Sequence, residues 1–424
     1  MKCAEKQVKQ DYIWNTAAGL INAAEAVVMS MIVTRVTGLT DAGMLTMAFA
    51  IGNLMMPVGK FGMRNFQVTD TEDRFPFAVY VKTRAVTVFM MIVCTILYLA
   101  YAYVQKGYHY EKIGIIFAVC MIYAVEAFED VIWAYYQHRG RLYAGARMFC
   151  CRWGGILAAF PVMLYITGNL MATLLFCCLF SLVLFLFLLK ASYRYICAEE
   201  DRCIRPVIDR AEWRQIGKLL RIVFPLFGVS FLALYENNAP KYAIDACLSD
   251  DVQACYGFVA MPVFVIGLLN NFIYQPVLVS MAVEWEQGRV KQFTRRIAKQ
   301  FMMIAGIFVI CISGAYVLGI PVLSVLYNTD LSAYKGELLI LLVASVFLAS
   351  SGYLSVVLTI MRLQKSLLLP HCIVSVTALA VLRTIVERYG TMGAACGYLS
   401  LMVLLFVLYL IILVIKLRAI GWKD

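Results

Sequence analysis

Long apolar runs separated by short polar breaks dominate the chain. Stretches such as TLLFCCLFSLVLFLFLL and LSLMVLLFVLYLIILVI contain no charged residue. About 20 such residues cross the hydrocarbon core of a bilayer as a helix, whereas membrane β-strands alternate over roughly ten residues. The pattern therefore predicts an all-α polytopic membrane protein with about twelve transmembrane helices. Their expected positions are 12–36, 42–66, 80–104, 112–136, 142–166, 168–190, 214–239, 252–280, 295–320, 337–361, 366–387 and 391–416.

Composition and charge fit this interpretation. The 424 residues are 62% hydrophobic and only 15% charged, against about a quarter charged in a soluble domain. Successive connections are alternately rich and poor in lysine and arginine. The connections on the side of the N-terminus carry 28 of these residues and those on the other side carry 7. Both termini are therefore expected in the cytoplasm, and the net charge of +11 reflects topology rather than nucleic-acid binding. The 14 cysteines show no metal or redox spacing, and no metal site is expected.

The longest polar connection divides the predicted helices into two sets of six. It follows the sixth helix and reads KASYRYICAEEDRCIRPVIDRAEW. The expected organisation is an N-terminal six-helix bundle at 1–192, a cytoplasmic linker at 193–213 and a C-terminal six-helix bundle at 214–424. Because each half has an even number of spans, the two halves share one orientation.

Polar residues within the predicted helices recur at helical spacing. A charge at membrane depth costs about 2.5–3.5 kcal/mol even on the lenient insertion scale, so such stripes are expected to face protein or water. Such stripes either line a cavity or hydrogen-bond between packed helices. A salt-bridge network of Glu126, Glu129 and Asp130 with Arg152 would be an example of polar contacts between packed helices. The stripes are Asn15, Asn22 and Glu25; Asn53, Lys60 and Arg64; Glu126, Glu129 and Asp130; Tyr235 to Asp245; and Asn271 with Gln275.

Two regions resemble bacterial polysaccharide-export flippases. They are NTAAGLINAAEAVVMSMIVTRVTGLTDAGMLTMAFAIGNLMMPVGKFGMRN, continuing to Arg84, and NNAPKYAIDACLSDDVQACYGFVAMPVFVIGLLNNFIYQPVL. Those flippases belong to the multidrug/oligosaccharidyl-lipid/polysaccharide exporter superfamily. The resemblance implies two six-helix bundles around a central cavity in the bacterial plasma membrane. It also implies alternating-access movement of an undecaprenyl-diphosphate-linked oligosaccharide to the outer leaflet for cell-surface polysaccharide biosynthesis, with a polysaccharide polymerase as a further partner.

Roles for single residues follow from that resemblance. Cavity cations would attract the diphosphate, and the corresponding residues here are Lys60, Arg64 and Lys241, with Arg152 as a further candidate. Amide and phenol side chains suit sugar hydroxyls; these are Asn22, Asn53, Asn237, Asn238, Asn271, Gln275 and Tyr235. Candidates for carrying a coupling proton or sodium ion are Glu25, Glu129, Glu236 and Asp245. Passive exchange fits equally well, and neither a cofactor nor a P-loop for ATP is expected.

Two other classes of protein are compatible with a long apolar chain. A cation-coupled multidrug or small-molecule antiporter of the same superfamily would share the fold but have a more apolar and acidic cavity. The basic residues Lys60, Arg64 and Lys241 disfavour it. A polymerase or membrane glycosyltransferase would need a large outward loop or an acidic metal site, whereas the outward connections here are short and no nucleophile–base set is present. The protein is therefore not expected to be an enzyme.

Overall fold

The computed structural model describes residues 2–70, 74–200, 209–274 and 277–421. Within these ranges, side chains are described except at 2–6, 193–200, 264–274, 279 and 420–421. These ranges contain helices joined by short turns and no β-strand. A π-helical turn links α11 to α12. The α-helices are α1 (Lys2–Val36), α2 (Leu39–Lys60), α3 (Met63–Thr69), α4 (Phe77–Lys106), α5 (Tyr110–His138), α6 (Leu142–Thr167), α7 (Leu170–Glu200), α8 (Arg210–Cys247), α9 (Asp250–Tyr274), α10 (Leu278–Glu286), α11 (Val290–Gly314), α12 (Ile320–Tyr327), α13 (Lys335–Ile360) and α14 (Leu368–Gly421).

The helices lie where the hydrophobic pattern predicts the twelve spans. Nine stretches of the described residues are long and apolar enough to cross a membrane. The longest, Gln364–Ala419, contains the last two predicted spans. Helix α14 bends between them at Gly390, where φ is 59° and ψ is −140°, a backbone region that is essentially restricted to glycine. The all-helical expectation is confirmed.

The outer faces of the helices are apolar. Phe187 on α7 is 71% exposed and Val325 on α12 is 75% exposed. Soluble monomers rarely expose contiguous apolar patches larger than a few hundred Å², so a bilayer is the medium that would cover such faces. The protein is a multi-pass membrane protein.

Helix α2 is the most buried of the described spans, and glycines let α5 approach it closely. A Cβ atom at Gly52 would lie 2.7 Å from the ring of Tyr123, and one at Gly59 would lie 2.9 Å from the Cβ of Ala127. Both distances are too short for any larger residue without movement. This contact between α2 and α5 sets the register of the polar stripes on the two helices.

The second predicted span is broken, whereas the sequence predicts one helix over 42–66. Helix α2 ends at Lys60 and α3 begins at Met63. Phe61 and Gly62 between them both have positive φ, at 48° and 63°. Gly62 packs against α8, since a Cβ there would lie 2.9 Å from the Cβ of Leu226. At position 62, the positive φ and this close contact favour glycine, which has no side chain.

The chain divides into two compact units, Met1–Phe231 and Leu232–Asp424. The division falls within α8, whereas the sequence places the boundary in the linker at 193–213. The first part of α8 belongs to the first unit because Leu219 and Val223 are buried in that unit's core with Met63 and Val131. The charged segment at 201–208 lies outside the described residues.

The start of α8 is fixed by local hydrogen bonds. The Glu212 amide donates to Asp209 Oδ1 at 2.7 Å, and the Asp209 amide donates to Glu212 Oε2 at 3.0 Å. This reciprocal arrangement is a capping box. Lys82 on α4 donates to both carboxylate oxygens of Glu212 at 2.6 Å. The helix that leaves the predicted cytoplasmic linker is thereby tied to α4.

Candidate functional site

A cluster of charged side chains lies inside the first unit, between α2–α3 and α5. Lys60 Nζ lies 3.0 Å from Glu126 Oε1, and Arg64 Nη1 lies 3.1 Å from Asp130 Oδ1. The two cations are four residues apart, and so are the two acids, so the stripes that the sequence predicts on the second and fourth spans face each other.

Two further arginines complete the cluster from α4 and α6. Arg84 Nη2 lies 2.9 Å from Asp130 Oδ2. Arg152 Nε lies 2.7 Å from Glu129 Oε2, and its Nη2 lies 3.6 Å from Glu126 Oε2. Both arginine side chains are 0% exposed. Of the predicted network, Arg152 therefore pairs with Glu129 and Glu126, whereas Asp130 pairs with Arg64 and Arg84 instead.

The helix break at Phe61–Gly62 explains part of this arrangement. A carbonyl in the last turn of a helix has no intrahelical partner. The carbonyl of Gly59 instead accepts hydrogen bonds from Arg84 Nη1 and from the Thr87 hydroxyl, each at 2.8 Å. Arg84 thus supports the end of α2 as well as neutralising Asp130.

Exposure separates the four cations into two kinds. The side chains of Lys60 and Arg64 are 33% and 28% exposed, whereas those of Arg84 and Arg152 are fully buried. In this conformation Arg152 has no surface to offer a ligand. Lys60 and Arg64 are the cations of this cluster that a ligand can reach.

Arg64 is held in place from two further sides. Its Nη2 and Nε donate to Gln137 Oε1 at 2.8 and 3.2 Å. Its guanidinium carbon lies 4.2 Å from the ring centroid of Trp133, within the range of a cation–π interaction. The planar guanidinium is therefore fixed in orientation while part of it stays accessible.

Buried acidic groups balance the cations. Glu25 on α1 accepts a hydrogen bond from the Tyr123 hydroxyl at 2.8 Å, and Glu126 accepts one from Trp153 Nε1 at 2.8 Å. Glu25 Oε2 and Glu129 Oε1 have no hydrogen-bond partner among the described residues. The cluster therefore carries no excess of positive charge when all its members are ionised. Its four cations are Lys60, Arg64, Arg84 and Arg152, and its four acids are Glu25, Glu126, Glu129 and Asp130.

The second unit contains a separate buried polar chain around Glu236 on α8. Glu236 Oε2 lies 2.8 Å from His371 Nδ1, and its Oε1 accepts a hydrogen bond from the Ser375 hydroxyl at 2.9 Å. His371 Nε2 lies 3.0 Å from the Tyr409 hydroxyl. All four side chains are buried. A carboxylate, an imidazole and a phenol are thus joined in one hydrogen-bonded chain.

The other polar residues of α8 are placed differently. Asn237 accepts a hydrogen bond from the Tyr398 hydroxyl at 3.3 Å, and Asn238 donates to the carbonyl of Leu234 at 3.0 Å. Both asparagine side chains therefore have a hydrogen-bond partner within the protein. Lys241 is half-buried and makes no hydrogen bond or ion pair with any residue that the structure describes.

The remaining predicted site residues lie apart from these clusters or outside the described part. Asn22 on α1 is exposed, while Asn53, Tyr235 and Asp245 are half-buried. Tyr235 stacks on Tyr242 with ring centroids 5.9 Å apart. Gln275 and the side chain of Asn271 lie outside the described residues. Within the described ranges, no group of three or more His, Cys, Asp or Glu side chains has the arrangement of a metal site.

Sequence reasoning missed several members of both clusters. Arg84 counts among the cytoplasmic-side cations in the topology, and its burial cannot be predicted without the helix packing. His371 and Ser375 are four residues apart, which places them on one face of α14. That spacing is the signal that would have connected them to the polar stripe on α8.

Comparison with solved structures defines the class of the fold. No family model matches the chain, and no curated protein matches it in sequence. In three dimensions the chain has the fold of transporters of the MOP superfamily. An inward-facing multidrug resistance MATE family transporter of that superfamily gives a TM-score of 0.68 at 12% identity, over 96% of each chain.

Two further structures are similar. An inward closed conformation of the lipid II flippase MurJ gives a TM-score of 0.70 at 11% identity, over 97% of this chain and 90% of MurJ. A MOP superfamily transporter from Pyrococcus furiosus, described as having a binding pocket of reverse polarity, gives 0.58 at 14% identity, over 97% and 94%. At these identities the similarity establishes the fold.

Proposed function

We propose that the protein is a flippase. Its substrate is an undecaprenyl-diphosphate-linked oligosaccharide, which it moves by alternating access from the inner to the outer leaflet of the bacterial plasma membrane. The product supplies a cell-surface polysaccharide and is consumed by a polysaccharide polymerase. The observation that carries the proposal is the pair of partly exposed cations, Lys60 and Arg64, on a predicted membrane span.

The chemistry of that pair suits a diphosphate. A diphosphate carries about two negative charges, and an ion of this kind loses several kcal/mol of hydration on entering an apolar medium. Charge-assisted hydrogen bonds to an ammonium and a guanidinium replace part of that hydration. The orientation of Arg64 by Gln137 and Trp133 favours planar recognition of phosphate oxygens.

The sugar and the polyprenyl chain of the substrate would lie in different surroundings. The sugar would contact Asn22, Asn53 and Tyr235, which are exposed or half-buried, and Lys241 would add a third cation for the diphosphate. Arg152 takes the role of a positioning residue because it is fully buried against Glu129. The polyprenyl chain would stay in the lipid while the headgroup passes. The other proposed sugar contacts are Asn237, Asn238, Asn271 and Gln275.

For coupling we propose a proton carried by Glu236. Glu236 Oε2 lies 2.8 Å from His371 Nδ1. Histidine is the side chain that ordinarily changes charge near neutral pH, so an imidazole hydrogen-bonded to a carboxylate is suited to passing a proton. Glu25, Glu129 and Asp245 stay alternatives for a proton or a sodium ion. Flux of labelled lipid measured with and without an imposed pH gradient separates proton coupling from passive exchange.

A cation-coupled multidrug antiporter is the second candidate. The observation that favours it is that two acids of the cluster in the first unit, Glu25 and Glu129, each have an oxygen without a hydrogen-bond partner among the described residues, since carboxylates attract organic cations. The similarity to a multidrug resistance transporter agrees with it. The partly exposed Lys60 and Arg64 argue against it because they would repel such a substrate.

Depletion of the protein in cells separates the two functions. The flippase proposal predicts that an undecaprenyl-linked oligosaccharide accumulates on the cytoplasmic leaflet, while intracellular levels of cationic dyes stay unchanged. Accumulation of dyes with a normal pool of lipid-linked sugar would favour the antiporter and overturn the flippase.

A further inference from the structure

The two acids that face Lys60 and Arg64 each divide their oxygens between two cations. Glu126 turns Oε1 to Lys60 at 3.0 Å and Oε2 to Arg152 at 3.6 Å. Asp130 turns Oδ1 to Arg64 at 3.1 Å and Oδ2 to Arg84 at 2.9 Å. In both, one oxygen faces a partly exposed cation and the other faces a fully buried arginine.

The carboxylates of Glu126 and Asp130 can each lose the partly exposed cation and still keep an ion pair. When an anion binds Lys60 and separates it from Glu126, the Glu126 carboxylate keeps Arg152 and the Trp153 indole as partners. A buried charge that loses its only partner is strongly destabilising, and here neither acid would lose its only partner. When the anion leaves, Lys60 regains a carboxylate and is not left unpaired in the membrane.

We propose that Glu126 and Asp130 are built-in counter-ions that occupy the diphosphate-binding positions of Lys60 and Arg64 and are displaced by the substrate. The buried Arg84 and Arg152 hold the displaced carboxylates. The inference rests on the proposed diphosphate substrate and adds to it a mechanism of release, because the acids compete with the headgroup at the end of each cycle.

Two buried acids make a controlled test. Glu126→Gln removes the charge that competes for Lys60, while Arg152 keeps Glu129 at 2.7 Å and the introduced amide oxygen still accepts from Trp153. Glu337→Gln on α13 is the matched control, because Glu126 and Glu337 are both 5% exposed and Glu337 Oε1 accepts a hydrogen bond from the Thr391 hydroxyl at 2.8 Å. Both variants remove one buried negative charge.

The measurement is binding of farnesyl diphosphate, a short diphosphate lipid, to the purified full chain in nanodiscs. We expect Glu126→Gln to bind about three- to fivefold more tightly than the parent protein, the upper part of the range that loss of a partly exposed competing pair gives. We expect Glu337→Gln to bind within about twofold of the parent. In a Lys60→Ala background, Glu126→Gln should have no further effect on affinity, because the two side chains compete for one position.

The outcomes separate the inference from the proposed function. Binding by the parent that weakens in Lys60→Ala but does not tighten in Glu126→Gln overturns the counter-ion role and leaves the diphosphate substrate in place. Absence of binding by the parent overturns both. If Glu126→Gln does not fold, Glu126→Asp withdraws the carboxylate from Lys60 by one methylene while keeping its charge, and it must also tighten binding.

Discussion

Replacing Arg84 by methionine tests whether the buried charges hold the first unit together. Arg84 is 0% exposed, pairs with Asp130 at 2.9 Å and donates to the carbonyl of Gly59. Methionine is shorter than arginine but unbranched and apolar, so the change removes the charge and the hydrogen bonds while keeping most of the buried aliphatic contact.

The structure sets the size of the expected effect. Removing one partner of a buried ion pair costs about 3–5 kcal/mol when the other charge is left uncompensated. Asp130 keeps Arg64 at 3.1 Å, and Gly59 keeps the hydrogen bond from Thr87, so neither group is left uncompensated and the cost falls below that range. We therefore expect Arg84→Met to lower the free energy of unfolding by about 2 kcal/mol, as loss of a buried hydrogen bond to a charged group does.

Arg64→Met is the matched comparison. It removes a cation from the same carboxylate, but Arg64 is 28% exposed and Asp130 keeps its buried partner. The expected loss is about 1 kcal/mol, as for a partly exposed ion pair. The assay is equilibrium unfolding of both variants by sodium dodecyl sulfate in mixed micelles, followed by tryptophan fluorescence. Equal losses in the two variants, or a loss below about 1 kcal/mol for Arg84→Met, would refute the reasoning.

Further predictions concern the break in the second span and the chain around Glu236. Gly62→Ala should lower thermal stability more than Gly107→Ala, because both glycines have positive φ but a Cβ at Gly62 meets Leu226 at 2.9 Å whereas nothing lies within 4 Å at Gly107 among the described residues; equal melting temperatures would show that the contact with α8 is absent. His371→Gln should abolish the stimulation of lipid flux by a pH gradient and retain flux without one, since it removes the titratable partner of Glu236; unchanged stimulation would exclude this pair as the coupling site.

The periodicity of apolar and polar residues was sufficient to predict the helices and the helix faces that carry charge. Gly390 lies in the gap between the last two predicted spans, and α14 bends there. Glu126 and Asp130 are four residues apart on the predicted fourth span, which already places them on one face. The pairing of that face with Lys60 and Arg64 requires the register of α2 against α5, which glycines at 52 and 59 set through three-dimensional contacts.

The burial of individual charged side chains and their ion-pair partners could not be predicted in the same way. Arg84 and Lys82 look alike in the sequence as cations near a predicted cytoplasmic end, yet Arg84 is buried on Asp130 and Lys82 holds Glu212. The helix break before Met63 was also missed, because the helical spacing of Asn53, Lys60 and Arg64 continues across it. Such features depend on which helices pack together, and a single sequence does not contain that information directly.

We propose that Lys60 and Arg64 receive the diphosphate of a lipid-linked sugar. The most direct measurement is flux of fluorescently labelled undecaprenyl-diphosphate oligosaccharide across vesicles containing the full chain, with Arg383→Gln as control, since Arg383 is 69% exposed in a surface pair with Glu387. The account predicts that flux falls about tenfold or more in folded Lys60→Ala and Arg64→Ala, as loss of a charge-assisted contact of about 1.5–3 kcal/mol implies, and stays at the parent rate in the control. Normal flux in both folded alanine variants would contradict it.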